Sequence, residues 1–162
     1  MRVEFAPVRY DHPDATKLID EVQREYVARY GHEDVTPVDP DDFAAPRGRF
    51  FVGYLDGTPV ACGGWRCQDG PAPEYTPGDA EIKRMYVAES VRGNGYSRAL
   101  LEVLEQSARD AGRKRMILET GTEQPEAMAL YESSGYHDIP RFGVYRDDPC
   151  SRCYAKDLPQ SA

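Results

Sequence analysis

A glycine-containing loop between a strand and a helix is the feature that most restricts how this chain can fold. Ala80–Val87 is typical of a strand, and Ser97–Ala111 carries its leucines along one helical stripe. The loop between them holds Gly93 and Gly95, which let the backbone turn tightly and direct several N–H groups at one point. Arg115–Thr120 then reads as a second strand, so the sequence predicts a β-α-β unit with parallel strands.

The other segments complete an α/β chain. Asp56-Gly57 lies between two apolar runs, which is the preferred sequence for a tight hairpin turn. The remaining predicted elements are a strand at Val3–Val8, a helix that begins near Pro13 and ends at Gly31, a short helix near Asp41–Ala45, strands at Phe50–Leu55 and Pro59–Trp65, a helix at Pro125–Ser134, and strands near Tyr136–Ile139 and Arg152–Lys156. This order predicts a mixed central sheet with helices on both faces.

Length and charge restrict the possible partners. The 162 residues predict a single domain over residues 1–162. The net charge of −8 disfavours nucleic acid as a partner, because binding to phosphates needs a basic surface. No apolar run approaches the roughly 20 residues of a membrane span and no secretory signal is visible, so we expect no membrane association and a cytoplasmic location. Residues 81–115 carry eight basic and five acidic side chains, which indicates either a local anion site or a solvated helix face.

Four cysteines, at positions 62, 67, 150 and 153, stand in C-x4-C and C-x2-C spacings. These spacings raise a zinc site as an alternative, but the first pair lies in a strand-like stretch and no pair of histidines is near it. We therefore expect reduced thiols and no metal.

Three motifs in order resemble the GCN5-related N-acetyltransferase (GNAT) superfamily. Arg92–Ser97 (RGNGYS) is similar to its acyl-CoA signature, with Ser97 where Gly or Ala is usual. Glu81–Val87 resembles its fourth strand, and Gln124–Tyr136 resembles its Asn-x-x-Ala-x-x-Leu-Tyr-x-x-x-Gly-Phe segment, with Gln124 in the Asn place. Rossmann and Walker A patterns are not met. The resemblance implies a GNAT-like mixed sheet of six to seven strands, splayed between two parallel strands and flanked by about four helices.

The resemblance also implies an activity, that of a bacterial-type N-acetyltransferase that moves an acetyl group from acetyl-CoA to a primary amine of a small molecule. A protein N-terminal or lysine acetyltransferase and a non-catalytic acyl-CoA-binding domain are the alternatives, and a homodimer is left open. The residues that the resemblance implies for binding acetyl-CoA are Met85, Tyr86, Val87, Arg92, Gly93, Asn94, Gly95, Tyr96, Ser97, Arg98 and Gln124.

Two catalytic roles follow from the same resemblance. Tyr131 corresponds to the family's general acid, and packing of its ring on the core is the alternative. Glu81 corresponds to a general base, with a salt bridge to Lys83 or Arg84 as the alternative. Tyr26 and residues 31–48 are expected to wall the acceptor pocket. The candidate substrate-binding residues are Tyr30, Trp65, Arg66 and Arg84.

Overall fold

Seven strands form one mixed sheet in the described part of the chain, as the sequence predicts. The structure is a computed structural model that describes residues 2–70 and 75–159. In chain order the strands are β1 (Val3–Val8), β2 (Gly48–Leu55), β3 (Thr58–Gln68), β4 (Asp79–Val87), β5 (Arg115–Gly121), β6 (His137–Ile139) and β7 (Ser151–Asp157). Their order across the sheet is β1-β2-β3-β4-β5-β7-β6. The β4–β5 pair is parallel, and the other neighbouring pairs are antiparallel.

The helices number three in the described residues, fewer than the four or so that the family resemblance implies. They are α1 (Pro13–Tyr30), α2 (Tyr96–Asp110) and α3 (Pro125–Ser133). The short helix predicted near Asp41–Ala45 is a single 3-10 turn at Pro40–Phe43, which Asp39 caps. The prolines on either side of this turn limit its extension, because proline lacks a backbone N–H and restricts the residue before it. A second 3-10 turn, at Glu89–Val91, leads into the glycine loop.

Two turn predictions are confirmed by backbone angles. Gly31 ends α1 with φ +83°, a conformation that glycine adopts without the steric cost other residues incur. Asp56 and Gly57 join β2 to β3 with φ values of +51° and +81°, as the tight hairpin requires.

The two long helices cover opposite faces of the sheet. Leu18 of α1 packs in a cluster with Phe50 and Cys62. Leu104 of α2 packs with Ala61 in a second cluster. Successive side chains of a strand point to opposite faces of the sheet. Ala61 and Cys62 are neighbours on β3, so the two clusters that contain them lie on opposite faces. The sheet is therefore a central layer between helices.

The parallel strands β4 and β5 separate soon after they begin to pair. Their register covers only Asp79–Glu81 against Arg115–Ile117. Further along β4 the pairing with β3 shifts register opposite Gly63, and Arg84 adopts a positive φ of +59°. Such a bulge bends a strand and redirects its side chains. The splayed arrangement that the resemblance implies is thus present, and it opens a cleft within the sheet.

All four cysteines are free thiols, and Cys62 and Cys153 are buried. Within residues 2–70 and 75–159, no group of three or more His, Cys, Asp or Glu side chains could hold a metal ion. No helix in the same residues is long and apolar enough to cross a membrane.

Candidate functional site

A cavity of about 380 Å³ occupies the cleft where β4 and β5 diverge. The C-terminal half of α1 covers it on one side, and the glycine loop and α3 border it on the other. Its lining from the strands and the loop includes Ile82–Val87, Arg92, Gly93, Ser97, Leu118–Gly121, Gln124 and Tyr131. The lining from α1 and the two loops near its end includes Tyr26, Tyr30, His32, Asp34, Tyr145 and Asp148.

The glycine loop has the geometry of an anion site. Gly93 and Gly95 adopt φ values of +86° and +80°, and a Cβ at either position would meet none of the described atoms within 4 Å. Gly95 is the N-cap of α2, and no described side chain caps this helix end. The first N–H groups of α2 are therefore available beside open space, where the helix dipole also favours negative charge.

Arg92 is held in place by its neighbours at the cavity rim. Its Nε donates to the Val87 carbonyl at 2.9 Å, and its guanidinium forms a 3.0 Å ion pair with Glu25 of α1. The guanidinium also lies 5.6 Å from the centre of the Tyr86 ring. Glu25 thus offsets part of the positive charge that the sequence places beside the loop.

Other residues predicted to bind the cofactor support the loop from outside the described cavity lining. Asn94 donates from its side chain to the Val91 carbonyl at 2.8 Å. Tyr96 packs against the core beneath α2. Arg98 donates to the hydroxyls of two serines at the end of α3, each at 2.9 Å, and so joins α2 to α3. These side chains fix the loop, and Gly95 supplies its backbone turn.

Tyr131 of α3 is buried with its hydroxyl at the cavity. The side chain is 8% exposed, and the hydroxyl lies 3.9 Å from the Met85 sulfur. The rings of Tyr136 and Tyr154 pack around it, with centroids 5.8 Å and 6.1 Å away. Burial raises the pKa of Tyr131 to about 12, so the hydroxyl carries its proton at neutral pH. The two alternatives for Tyr131 are compatible, because the ring packs while the hydroxyl faces the cavity.

Glu81 lies outside the described cavity lining and is already engaged. It is 3% exposed, and its carboxylate accepts hydrogen bonds from Arg66 Nε at 3.0 Å and from Gln68 at 3.2 Å. The Arg66 guanidinium also contacts Asp42 at 3.0 Å. The salt bridge that the sequence leaves open for Glu81 therefore exists, but its partner is Arg66 and not Lys83 or Arg84. Arg66 has the same structural role, so it is not placed to contact a substrate in the cavity.

Lys83 and Arg84 share a single carboxylate at the cavity wall. Asp34 accepts from Lys83 Nζ at 3.1 Å and from the Arg84 guanidinium, and its other oxygen accepts from the backbone N–H and hydroxyl of Thr36. Burial acts to raise the pKa of Asp34, but the two cations outweigh it and hold the pKa well below its ordinary value. This cluster fixes the loop after α1 against β4.

Glu119 of β5 is a site residue that the sequence analysis does not single out, as are Tyr145 and Asp148, which also line the cavity. It lines the cavity, and its Oε2 is buried without a hydrogen-bond partner among the described residues. Burial, the largest cause, raises the pKa of Glu119 to about 7. The positive charge of Lys83 opposes this rise, and the carboxylates of Asp34, Glu81 and Asp148 add to it. A single acidic residue in the apolar segment Arg115–Thr120 is the signal that would have singled it out.

Two contacts bridge the cleft above the strands. Gln124 donates to the Tyr30 hydroxyl at 3.1 Å, and Gly121 lies directly beneath that hydroxyl. At the end of the cavity lined by Asp34 and Tyr145, the Val35 N–H donates to the Tyr145 hydroxyl at 2.9 Å. These bridges join α1 and its following loop to β5, α3 and the loop before β7, and they span a cavity that stays partly open.

Trp65 does not reach the cavity. It is 1% exposed, packs in the core under α2 and donates from Nε1 to the Ser107 hydroxyl at 2.9 Å. Its position on β3 places it on the α2 face, away from the described cavity lining. Of the candidate substrate-binding residues, Tyr30 and Arg84 line the cavity.

Known proteins that are similar in sequence show both the class and the family of this chain. The chain is an acyltransferase: the model of the Acetyltransferase (GNAT) family matches residues 15–136, and the chain belongs to this family. It is 37% identical to the "IAA acetyltransferase" of Azospirillum brasilense over 142 residues, 88% of this chain and 89% of the relative. It is 30% identical to the "Uncharacterized N-acetyltransferase YjgM" of Escherichia coli K12, over 80% of this chain and 78% of the relative.

The fold is shared with solved structures of the family. A GNAT family acetyltransferase from Elizabethkingia anophelis, crystallised with acetyl-CoA bound, superposes with a TM-score of 0.67. The two chains are 16% identical, and the match covers 96% of this chain and 98% of the other.

The environment of Glu119 predicts a pH-dependent cost to stability. A carboxyl with a folded pKa of about 7 stabilises the fold only while it is protonated, so stability is lost as pH rises from its unfolded pKa to about 7. We expect Glu119→Gln to raise the free energy of unfolding by about 1–3 kcal/mol at pH 8 and by less than about 1 kcal/mol at pH 5. Urea unfolding at both pH values measures this difference. Glu102→Gln, on the exposed face of α2, is the control, and an equal response of both variants would contradict the assignment.

Proposed function

We propose that residues 1–162 form a single-domain N-acetyltransferase that moves the acetyl group of acetyl-CoA to a primary amine of a small molecule. The observation that carries this proposal is the bridged cavity with the Tyr131 hydroxyl inside it. The Val35–Tyr145 hydrogen bond joins two loops across one end of the cavity and so narrows the space that an acceptor would enter. The cavity of about 380 Å³ would also hold the thioester end of acetyl-CoA, so the space left for the acceptor favours a small molecule over a peptide.

Residues of the glycine loop and β4 would hold acetyl-CoA. The open space beside Gly93 and Gly95 and the uncapped start of α2 fit a diphosphate, because backbone N–H groups there can donate to its oxygens. Beyond Glu81, the edge of β4 that faces β5 forms no strand pair with any described residue, so its backbone can pair with an extended pantetheine arm. Gln124 and Arg92 border this path. Acetyl-CoA supplies an activated acetyl thioester to this cleft.

Tyr131 would donate a proton to the leaving thiolate of CoA. Its hydroxyl is protonated at neutral pH because burial raises its pKa to about 12. The adjacent Met85 sulfur leaves the hydroxyl without a strong acceptor, so the proton is available to a new anion. The packed rings around it hold the group in one position.

The proposed function is tested by the release of free CoA from acetyl-CoA with a panel of acceptors. The panel contains amino acids, alkylamines, polyamines, aminoglycosides, a peptide with a free N-terminus and a lysine peptide, together with IAA because a relative is named for it. We expect release with at least one small amine, with the acetylated product identified by mass spectrometry. Release with peptides alone would replace the small-molecule assignment with a protein substrate. Binding of acetyl-CoA without release for any acceptor would support a non-catalytic domain.

The glycine loop predicts a specific loss of acetyl-CoA binding. Acetyl-CoA should raise the melting temperature of the wild type, because a ligand that binds only the folded state stabilises it. Gly93→Asp with Gly95→Asp should abolish this rise, since aspartate tolerates the left-handed backbone but repels a diphosphate. Gly112→Asp is the matched control, because Gly112 also has φ +80° and open space but lies outside the cavity. If acetyl-CoA raised the melting temperature of the double variant as much as that of the wild type, the glycine loop could not be the binding site for the diphosphate.

The position of Tyr131 predicts a defect in turnover. Tyr131→Phe removes the hydroxyl and retains the ring packing, so we expect kcat to fall by about 10²–10⁴-fold with little change in the KM for acetyl-CoA. Tyr154→Phe, a buried tyrosine whose hydroxyl bonds to Glu132 at 2.9 Å, is the control for loss of a hydroxyl elsewhere. A kcat within about threefold of the wild type, when chemistry limits the rate, would exclude Tyr131 as the acid.

A further inference from the structure

We propose that Lys83 and Arg84 bind a carboxylate of the acceptor, and that the acceptor is therefore a free α-amino acid. This inference rests on the function proposed above, because it names the class of small amine that the cavity would take. We call these two residues the β4 cations. They line the cavity, and their side chains are 7% and 6% exposed.

The bulge in β4 directs both of the β4 cations to the same place. Neighbouring side chains of a regular strand point to opposite faces of the sheet. Lys83 and Arg84 nevertheless contact the same carboxylate, that of Asp34. The bulge accounts for this, because Arg84 adopts a φ of +59° and the register with β3 shifts near it. A left-handed backbone is unfavourable for arginine, and strain of this kind is concentrated at functional sites.

The β4 cations bring two positive charges against one negative charge. Both contact the Oδ2 atom of Asp34, while its Oδ1 atom accepts two hydrogen bonds from Thr36. Nε of Arg84 donates to the Tyr10 hydroxyl at 3.4 Å, and its Nη2 has no hydrogen-bond partner among the described residues. A buried charge without a counter-ion is costly. A second anion in the cavity would therefore stabilise this cluster.

The other arginines of the described cavity lining are balanced by carboxylates. Glu25 pairs with both Arg29 and Arg92, and Arg29 also pairs with Glu126 at 2.6 Å. Two guanidinium groups thus meet two carboxylates in this network. The excess of positive charge in the described lining is therefore at the β4 cations, and a free carboxylate is attracted there.

The facing wall of the cavity has the opposite charge. β5 and the loop before β7 contribute Glu119 and Asp148 to the lining, and the described lining from these two segments contains no Lys or Arg. A free amino acid is a zwitterion, so its carboxylate would face the β4 cations while its ammonium faces this acidic wall. Complementary charges of this kind select one ligand class over another. A polyamine carries no group for the β4 cations.

The position of the β4 cations limits the distance between the two groups of the acceptor. Arg84 directly precedes Met85, whose sulfur lies 3.9 Å from the hydroxyl of Tyr131, the proposed proton donor to the thiolate. The carboxylate site is therefore adjacent to the place where the thioester would react. An amine that attacks there must lie close to its own carboxylate. An α-amino acid meets this condition, because a single carbon carries both groups.

The first test uses the wild type and needs no variant. We compare the amino acid that releases CoA fastest with its carboxamide and its decarboxylated amine, which for leucine are leucinamide and 3-methylbutylamine. We expect kcat/KM for the amino acid to exceed that for the carboxamide by about 10–10²-fold, because charge-assisted hydrogen bonds to the carboxylate are lost. The carboxamide has the more acidic ammonium, so amine ionisation alone would favour the opposite order. CoA release with carboxamides or simple amines as fast as with amino acids would overturn the inference.

The second test removes the β4 cations one at a time. Lys83→Met and Arg84→Gln should each raise the KM for the amino acid and reduce its preference over the carboxamide by about tenfold. Arg29→Gln is the matched control, because it removes a different cation of the lining and should leave this preference unchanged. A purely structural role would lower kcat/KM equally for both acceptors. Equal losses of this kind in Lys83→Met and Arg84→Gln would overturn the inference.

A binding measurement that is independent of turnover separates this inference from the proposed function. Isothermal titration calorimetry, with and without CoA, compares 4-methylpentanoate with its neutral amide. The acid should bind about tenfold more tightly, and Lys83→Met should remove the difference. If no acceptor releases CoA but the acid binds in this way, the proposed function fails and the carboxylate site stands. If CoA is released with a small amine but neither comparison favours the carboxylate, the inference on the β4 cations fails alone.

Discussion

The early separation of the two parallel strands is the constraint on which the site depends. β4 and β5 keep register for three residues and then leave a gap that passes through the sheet. The bulge at Arg84 turns β4 away from its neighbour, and this redirects its side chains towards α1. The gap leaves backbone groups without a strand partner, a condition that is costly unless a ligand fills it. The cleft can therefore bind a ligand because the sheet is incomplete between β4 and β5.

Ion pairs, one group of them buried, hold the walls of that gap. Asp34 ties the loop after α1 to Lys83 and Arg84 on β4, and the Arg92–Glu25 pair ties the same helix to the glycine loop. Removing Asp34 from the buried cluster is strongly destabilising, because the charges of Lys83 and Arg84 remain uncompensated. The Arg92–Glu25 pair is more exposed and contributes less. The α1 segment is thus fixed over the cleft by charge, although apolar packing supports its other end.

The sequence anticipates the elements well, because their signals are local. Alternation, the Asp56-Gly57 turn and the glycine loop each depend on neighbouring residues, and the structure confirms the strands and helices they predict. The ion-pair partners of charged residues are not predicted in this way, because they can lie far away in the chain. Glu81 has suitable cations two and three residues away, yet it pairs with Arg66 on the adjacent strand. Which carboxylate remains unpaired is therefore decided by register between distant segments. The sequence could mark Glu119 as an acidic residue in an apolar segment, but it could not show that Glu119 stays unpaired.

The contact between Gly121 and Tyr30 links two positions 91 residues apart in the chain. A Cβ at position 121 would overlap the Tyr30 hydroxyl, and glycine alone leaves that space free. Any larger residue at position 121 therefore requires a smaller one at position 30, and the hydrogen bond to Gln124 would be lost with it. In related chains the two positions should vary together, so that a tyrosine that bridges the cleft is accompanied by a glycine at the end of β5.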